Sequence, residues 1–325
     1  MKLLKKISHK KFTLILLGGV VFTLLLSFCI FQFDLSYSDN DVIRRYQIAK
    51  LEDNVPIETL IVGDSSAGNA LDADYFSKLS HQKTKNVALT GSFGLAGTFE
   101  IMNEALQNNP DIKNIVIMHT LDIWRRPFAK EGIFELNRGQ HLNFWSSYFS
   151  RSPFLEYLEY ATQFKNIFRF CRSVLEHTPL KAFIPEKSQI ILIDKEHDYL
   201  RQESKTYANG ERTLKGNEKL SSIIDQKNLD VVYMIDDWCG VHHIRCIYLH
   251  GPVHKGVFQN SLSEVDAIHT ALKNTQHMRV LNQVFFYENS KMGDSINHIA
   301  VPFKKELTQE YFEAVQGYLT PVDPS

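Results

Sequence analysis

One long apolar run opens the chain, and after it short continuous apolar runs alternate with stretches of helical spacing. The 22 residues from 12 to 33 carry no charge. As a helix this run reaches roughly 33 Å, enough to cross a bilayer. Residues 34–58 are polar and mixed, and read as a stalk with an entry helix over 42–51 that ends before Pro56. Residues 59–62 (TLIV) predict a buried strand, 72–79 a helix with Asp72 as N-cap, and 85–89 a second short strand. A turn-rich segment over 90–97 leads to a helix over 98–108, with Ile101, Ala105 and Leu106 on one side, closed by Asn109-Pro110. Residues 114–118 (NIVIM) are apolar and β-branched, and predict a third strand. Strand–helix–strand–helix–strand with short links predicts an α/β fold with a parallel sheet and right-handed crossovers.

The rhythm is lost from residue 124 to about 216. Aromatic-rich helical segments over 144–149 and 154–175 precede a short strand over 189–193 and a charged, polar stretch over 194–217. This reads as an insertion or lid over the α/β core. The alternation then resumes with a helix over 218–243, a strand over 244–249 and the loop His250-Gly251-Pro252-Val253. A helix over 263–274 and a strand-like run over 280–287 follow. The last element is an amphipathic helix over 302–319 with Pro302 in its first turn. No internal repeat or low-complexity tract is visible.

Composition and charge narrow the classes. At 325 residues the chain can bury one large domain or two small ones. A formal net charge of -1 and the lack of a basic aromatic module set nucleic acid aside as a partner. Residues 1–11 hold Lys2, Lys5, Lys6, Lys10 and Lys11 and no acid, a flank that keeps the N-terminus cytoplasmic and sends the remainder across the membrane. A cleavable signal peptide has a shorter apolar core and a small-residue exit. Here the exit reads Ser27-Phe28-Cys29-Ile30, so residues 12–33 are expected to be an uncleaved, single-pass anchor with the main domain extracytoplasmic. Cys239 and Cys246 can pair in an oxidising compartment, and two buried free thiols fit their spacing equally well.

The candidate chemistry begins at Gly63-Asp64-Ser65, where the first strand meets a polar turn. A strand ending in Gly and a small hydroxyl residue puts that hydroxyl at the carboxyl edge of the sheet, where open α/β sheets bind their ligands. Ser65 is therefore a candidate nucleophile, although a serine after a strand also serves as a helix cap. Activation needs a base, an acid to orient it, and donors for an oxyanion. His298 and Asp294, after the last expected strand, can supply the first two, and the backbone N–H groups of Ser65 and Gly91 the third. A second Gly-Asp-Ser stands at Gly293, and the two cannot both hold the nucleophile. Asp64 is expected to tie down its turn and is also a candidate for substrate contact. Asp122, Trp124, Arg125 and Arg126 follow the third strand and can contact a glycan or form a solvated surface cluster, while His250 can line the pocket. The histidines at 242, 243, 250 and 254 lie near Asp236, Asp237 and Cys239 but show no HExxH or paired CxxC spacing, so no metal site and no cofactor is expected.

This ordered set resembles the SGNH (GDSL-like) hydrolase superfamily. Gly63-Asp64-Ser65 is similar to its first block, Gly91 to its second, and Asp294 with His298 to its last. With the anchor, the chain looks most like the membrane-anchored SGNH proteins that help acylate extracytoplasmic glycans, such as the D-alanyl transfer protein of teichoic acid and the alginate and peptidoglycan O-acetylation proteins. The resemblance covers about 59–316 outside the lid. It implies a flavodoxin-like three-layer fold over 59–320, with a variable lid at about 124–216 and a tail over 321–325. It also implies a Ser65–His298–Asp294 triad and a serine-dependent acyltransferase or esterase acting on O-acyl, chiefly O-acetyl, groups of a cell-surface polysaccharide. A multi-pass membrane acyltransferase is the implied acyl donor. Two positions depart from the pattern. The third block's oxyanion Asn is absent from His119-Thr120-Leu121-Asp122, leaving His119 or Thr120 to donate, and the acid and base stand four apart, with Ser295 at the usual acid position. The missing Asn favours an alternative, a catalytically weakened glycan-binding or scaffold domain in an envelope-assembly complex.

Overall fold

The computed structural model describes residues 9–35, 39–52, 55–176, 192–194, 199–201, 218–220 and 223–321. Most of the expected strand over 189–193 and of the charged stretch after it lies outside these residues. In chain order the elements begin with α1 (His9–Gln32), α2 (Asp39–Glu52), β1 (Thr59–Gly63), α3 (Ser65–Ala70), α4 (Ala73–Ser80) and β2 (Thr84–Asn86). They continue with α5 (Gly94–Asn108), β3 (Asn114–His119), α6 (Lys130–Asn137), α7 (Pro153–Ala161), α8 (Phe164–Glu176), β4 (Leu192–Asp194) and β5 (Tyr199–Arg201). The last are α9 (Gln226–His242), β6 (Arg245–His250), β7 (Val253–His254), α10 (Lys255–Asn260), α11 (Leu262–Ala271), β8 (Met278–Val280), β9 (Phe286–Tyr287) and α12 (Lys304–Val315). The chain divides into two compact units, Met1–Val42 with Asn137–Ile190, and Ile43–Leu136 with Ile191–Ser325.

In the first unit, the 24-residue α1 is long and apolar enough to cross a membrane. The helices α7 and α8 pack on it. The segment expected as one helix over 154–175 is broken at Thr162 and Gln163, and α1 bonds that break directly. The Ser27 hydroxyl donates to the carbonyls of Ala161 (3.3 Å) and Gln163 (2.6 Å). Phe31 stands edge-on to Tyr157 and Tyr160, with the Arg138 guanidinium 4.5 Å from its ring centre. The helices expected in an insertion over the sheet are thus partners of the apolar N-terminal helix.

The second unit is built on a five-stranded parallel sheet in the order β2-β1-β3-β6-β8. The runs read as strands form it because Leu60–Val62, Ile115–Met118 and Cys246–Leu249 are apolar on both faces, as a sheet covered on both sides requires. On one face Ile61, Val116, Met118, Ile247 and Leu249 pack with Phe76 of α4 and Leu307, Tyr311 and Val315 of α12. On the other, α5 and α9 lie over β1, β6 and β8. A disulfide between Cys239 of α9 and Cys246 of β6 settles the question left open by their spacing. In a sheet of this order the chain reverses its winding between β1 and β3, and open α/β sheets bind their ligands at the carboxyl ends of the strands beside such a point.

Several boundaries differ from the sequence reading for local reasons. The helix expected over 218–243 begins at Gln226, because the Asp225 carboxylate caps it through the Asn228 N–H. The strand-like run over 280–287 is broken: β8 ends at Val280, and β9 leaves the main sheet to pair with β7.

Candidate active site

The site is set by the end of β1. Gly63 has φ +143, and a side chain there would collide with the Met118 carbonyl of β3. Only glycine allows this approach. It lets the Asp64 N–H donate to the Met118 carbonyl at 3.2 Å. A short helix absent from the sequence reading, α3, starts at Ser65 itself, ahead of α4, whose Asp72 N-cap and span match the helix expected over 72–79. The reason is Asp64, which is the N-cap: its Oδ1 accepts from the Ser66 N–H (2.9 Å) and the Ser66 hydroxyl (2.6 Å). Its Oδ2 accepts from the Thr120 N–H at 3.1 Å, tying β1 to the turn after β3. Asp64 is buried. Burial pushes its pKa up, but His119, facing it at 3.6 Å, and the donors from Ser66 and Thr120 override that and hold it down to about 2. Asp64 is thus fixed inside the turn, away from any substrate, and Ser65 is left as the half-buried residue facing outward.

The second contribution is a pinched loop. Met292 and Ile299 form an antiparallel bridge and are both buried in the core, and the Gly293 N–H donates to the His298 carbonyl at 2.7 Å. The His254 N–H holds the loop from outside through the Ile296 carbonyl, also at 2.7 Å. Closing the loop this way lets Asp294 reach across it despite the four-residue spacing. Asp294 Oδ1 lies 2.7 Å from His298 Nδ1, and His298 Nε2 lies 2.8 Å from Ser65 Oγ. Ser295, at the usual acid position, turns instead to Asn297.

Gly91 is placed by the ladder that continues past β2. The Val87 N–H donates to the Ile61 carbonyl and the Leu89 N–H to the Gly63 carbonyl, both at 2.9 Å. Gly91 therefore follows Leu89 by the same two residues that separate Ser65 from Gly63. A side chain at Gly91 would run into the Arg126 guanidinium, which Asp122 holds by two short contacts, 2.8 and 3.1 Å from Nη2. Arg126 rather than Arg125 is the cation at this corner, since it lies against Gly91 and is hydrogen-bonded to Asp122, whereas Arg125 stands 3.9 Å from Asp122.

Besides Asp64 and Thr120, which are also buried, three residues considered for ligand contact are fully enclosed. His119 is fully enclosed, with Nε2 3.0 Å from the Thr98 hydroxyl. Trp124 is buried against Tyr248. His250 is enclosed beside Tyr248 and His269, and burial first, then the neighbouring His269, lowers its pKa to about 3, so it is neutral at pH 7. None of the three can reach a substrate at the sheet edge.

One contact was invisible in the sequence. Asn297 Nδ2 donates to Thr120 Oγ1 at 2.9 Å, beside the Ser65–His298 pair. Among the described residues no acceptor takes the proton of that threonine hydroxyl. Asn297 neighbours His298 in sequence, which is the one hint the chain offered; nothing pointed to a partner 177 residues away. Chemically, the arrangement is a hydroxyl bonded to an imidazole whose other nitrogen is bonded to a carboxylate, which is how a serine is activated for attack on a carbonyl. Compared with known proteins, the chain matches no family model and no curated protein.

Proposed function

We propose that the protein is an extracytoplasmic, membrane-anchored serine acyltransferase or esterase of the SGNH type, acting on O-acyl groups of a cell-surface polysaccharide. The observation that carries this reading is the continuous chain from Asp294 through His298 to the Ser65 hydroxyl, with links of 2.7 and 2.8 Å. Ser65 Oγ attacks the acyl carbonyl, forming the new C–O bond while its proton passes to His298 Nε2. The N–H groups of Ser65 and Gly91 and the Thr120 hydroxyl hold the oxyanion, with Thr120 taking the place of the absent asparagine. Collapse breaks the bond to the leaving oxygen, which takes the proton from His298 and leaves an acyl ester on Ser65. A sugar hydroxyl or water then attacks that ester, gives its proton to His298, and Ser65 regains it on release. Asp294 orients the imidazole and stabilises its charged form. An anchor through α1 would hold the site beside a multi-pass membrane protein that supplies the acyl group. The acetyl ester is the simplest acyl group for this chemistry.

The test uses the full chain in detergent with p-nitrophenyl acetate. The expected result is a burst of p-nitrophenolate and one acetyl mass on the intact protein, lost in Ser65→Ala. Faster release of the acetyl group on adding an acceptor polysaccharide marks transfer, and indifference to the acceptor marks hydrolysis. No burst and no adduct on the wild type overturns the enzymatic reading in favour of a glycan-binding domain.

A further inference from the structure

The helix α8 is amphipathic with its apolar side turned outward. Phe164, Phe168, Cys171 and Leu175 follow at intervals of four, three and four, so they form one narrow stripe along the helix. All four are exposed, Phe164 and Phe168 by 59% and 68%. The side that packs inward carries a polar residue: Asn166 is buried and its amide donates to the Tyr160 and Ala161 carbonyls at the end of α7. A water-facing helix has the opposite arrangement, and so large an exposed apolar stripe marks a binding surface. The neighbouring α7 adds exposed Phe154 and Leu155.

Three observations identify the occupant as lipid. The helices α7 and α8 pack on α1, whose own surface is exposed leucine, isoleucine, valine and phenylalanine, so the stripe continues the apolar surface of the helix that can span a membrane. The turn between α7 and α8 is bonded to Ser27, five residues from the C-terminal end of α1, which puts it near one membrane face rather than far from it. Lys165, Arg169 and Arg172 lie together on one flank of the stripe, where cations meet headgroup phosphates. We propose that α8 lies in the membrane interface at the C-terminal end of α1, with Phe164, Phe168, Cys171 and Leu175 among the acyl chains of that leaflet. The first unit is then a membrane platform rather than a single threaded anchor. This rests on the insertion of α1 that the functional reading assumes.

The chain carries its own probes. With Cys239 and Cys246 joined in the disulfide, Cys29 of α1 and Cys171 of α8 are the free thiols. The full-length Cys29→Ser protein, labelled at Cys171 with an environment-sensitive nitrobenzoxadiazole dye, is reconstituted into vesicles of phosphatidylethanolamine and phosphatidylglycerol. The expected result is blue-shifted emission, quenched several-fold more by nitroxide on the lipid acyl chains than by aqueous iodide. The companion Cys171→Ser protein, labelled at Cys29, reads α1 separately. A lipid-quenched Cys29 with an iodide-quenched Cys171 overturns the proposal while leaving the anchor intact, and indicates a face kept for another protein. Iodide quenching at both positions overturns the anchor and the proposal together.

Discussion

The tripeptide Gly-Asp-Ser occurs twice, at Gly63 and at Gly293, and its residues exchange roles between the two places. At the first, the aspartate is buried in three donor contacts and the serine faces His298. At the second, the aspartate meets His298 and the serine turns to Asn297. The backbone that follows makes the difference. After Gly63 a helix begins at once, so Asp64 becomes its cap and Ser65 the outward residue of the first turn. After Gly293 the chain stays in a loop pinched by the Met292–Ile299 bridge, which brings Asp294 under the imidazole. A tripeptide therefore names no role by itself; the element that follows it assigns one.

The largest expected contrast is between the two serines. Ser65→Ala should lower acyl-ester turnover by on the order of 10⁴-fold or more, as loss of a triad nucleophile does, while Ser295→Ala should leave it nearly unchanged. Steady-state kinetics on the two variants reads this directly. The aspartates come next. Asp294→Asn should cost roughly 10²- to 10⁴-fold in kcat, because the imidazole loses its orienting charge. Asp64→Asn should show instead as a lower melting temperature. The Asp64 pKa is depressed in the folded state, to about 2 from 3.8, so its contribution is complete above pH 3.8 and disappears as pH falls through 2. Acid denaturation of the wild type should show that loss between those values, and Asp64→Asn should not.

Smaller effects probe what joins the two tripeptides. Thr120→Val should lower kcat by roughly 10²-fold, with KM little changed, if the hydroxyl meets the oxyanion, and Thr120→Ser should restore most of it. A merely structural threonine would show no such split. Last is the buried His250. Its folded pKa of about 3 lies below its ordinary 6.5, so the unfolded chain binds the extra proton between those values. Stability should be complete above pH 6.5 and fall by up to about 1.4 kcal/mol per pH unit as pH drops through that window. Denaturant melts of His250→Leu should lack that slope.

What the sequence made legible was whatever local pattern decides. The apolar runs became β1, β3 and β6 because strands covered on both faces need apolar residues on each of them. Ser65, His298 and Asp294, which the structure brings within hydrogen-bond distance, were legible as types in order. What escaped depended on distant contacts. Asp64, held by the distant Thr120 N–H, caps the additional helix α3, and the switch of β9 to another sheet broke the run over 280–287. His119, Trp124 and His250 read as ligand contacts because nothing in their neighbourhood tells how deep a strand end lies. Phe164, Phe168 and Leu175 read only as part of an aromatic-rich helical segment, because spacing reports that an apolar face exists, not whether protein or lipid covers it.

The central claim is that Ser65, and not Ser295, is the activated hydroxyl. The most direct test is treatment of the full chain with a fluorophosphonate, followed by intact-mass measurement and mapping of the modified peptide. One phosphonyl group on Ser65, slowed in His298→Ala and absent from Ser65→Ala, is the predicted result. A phosphonyl group on Ser295, or an unmodified wild-type protein, would contradict the account.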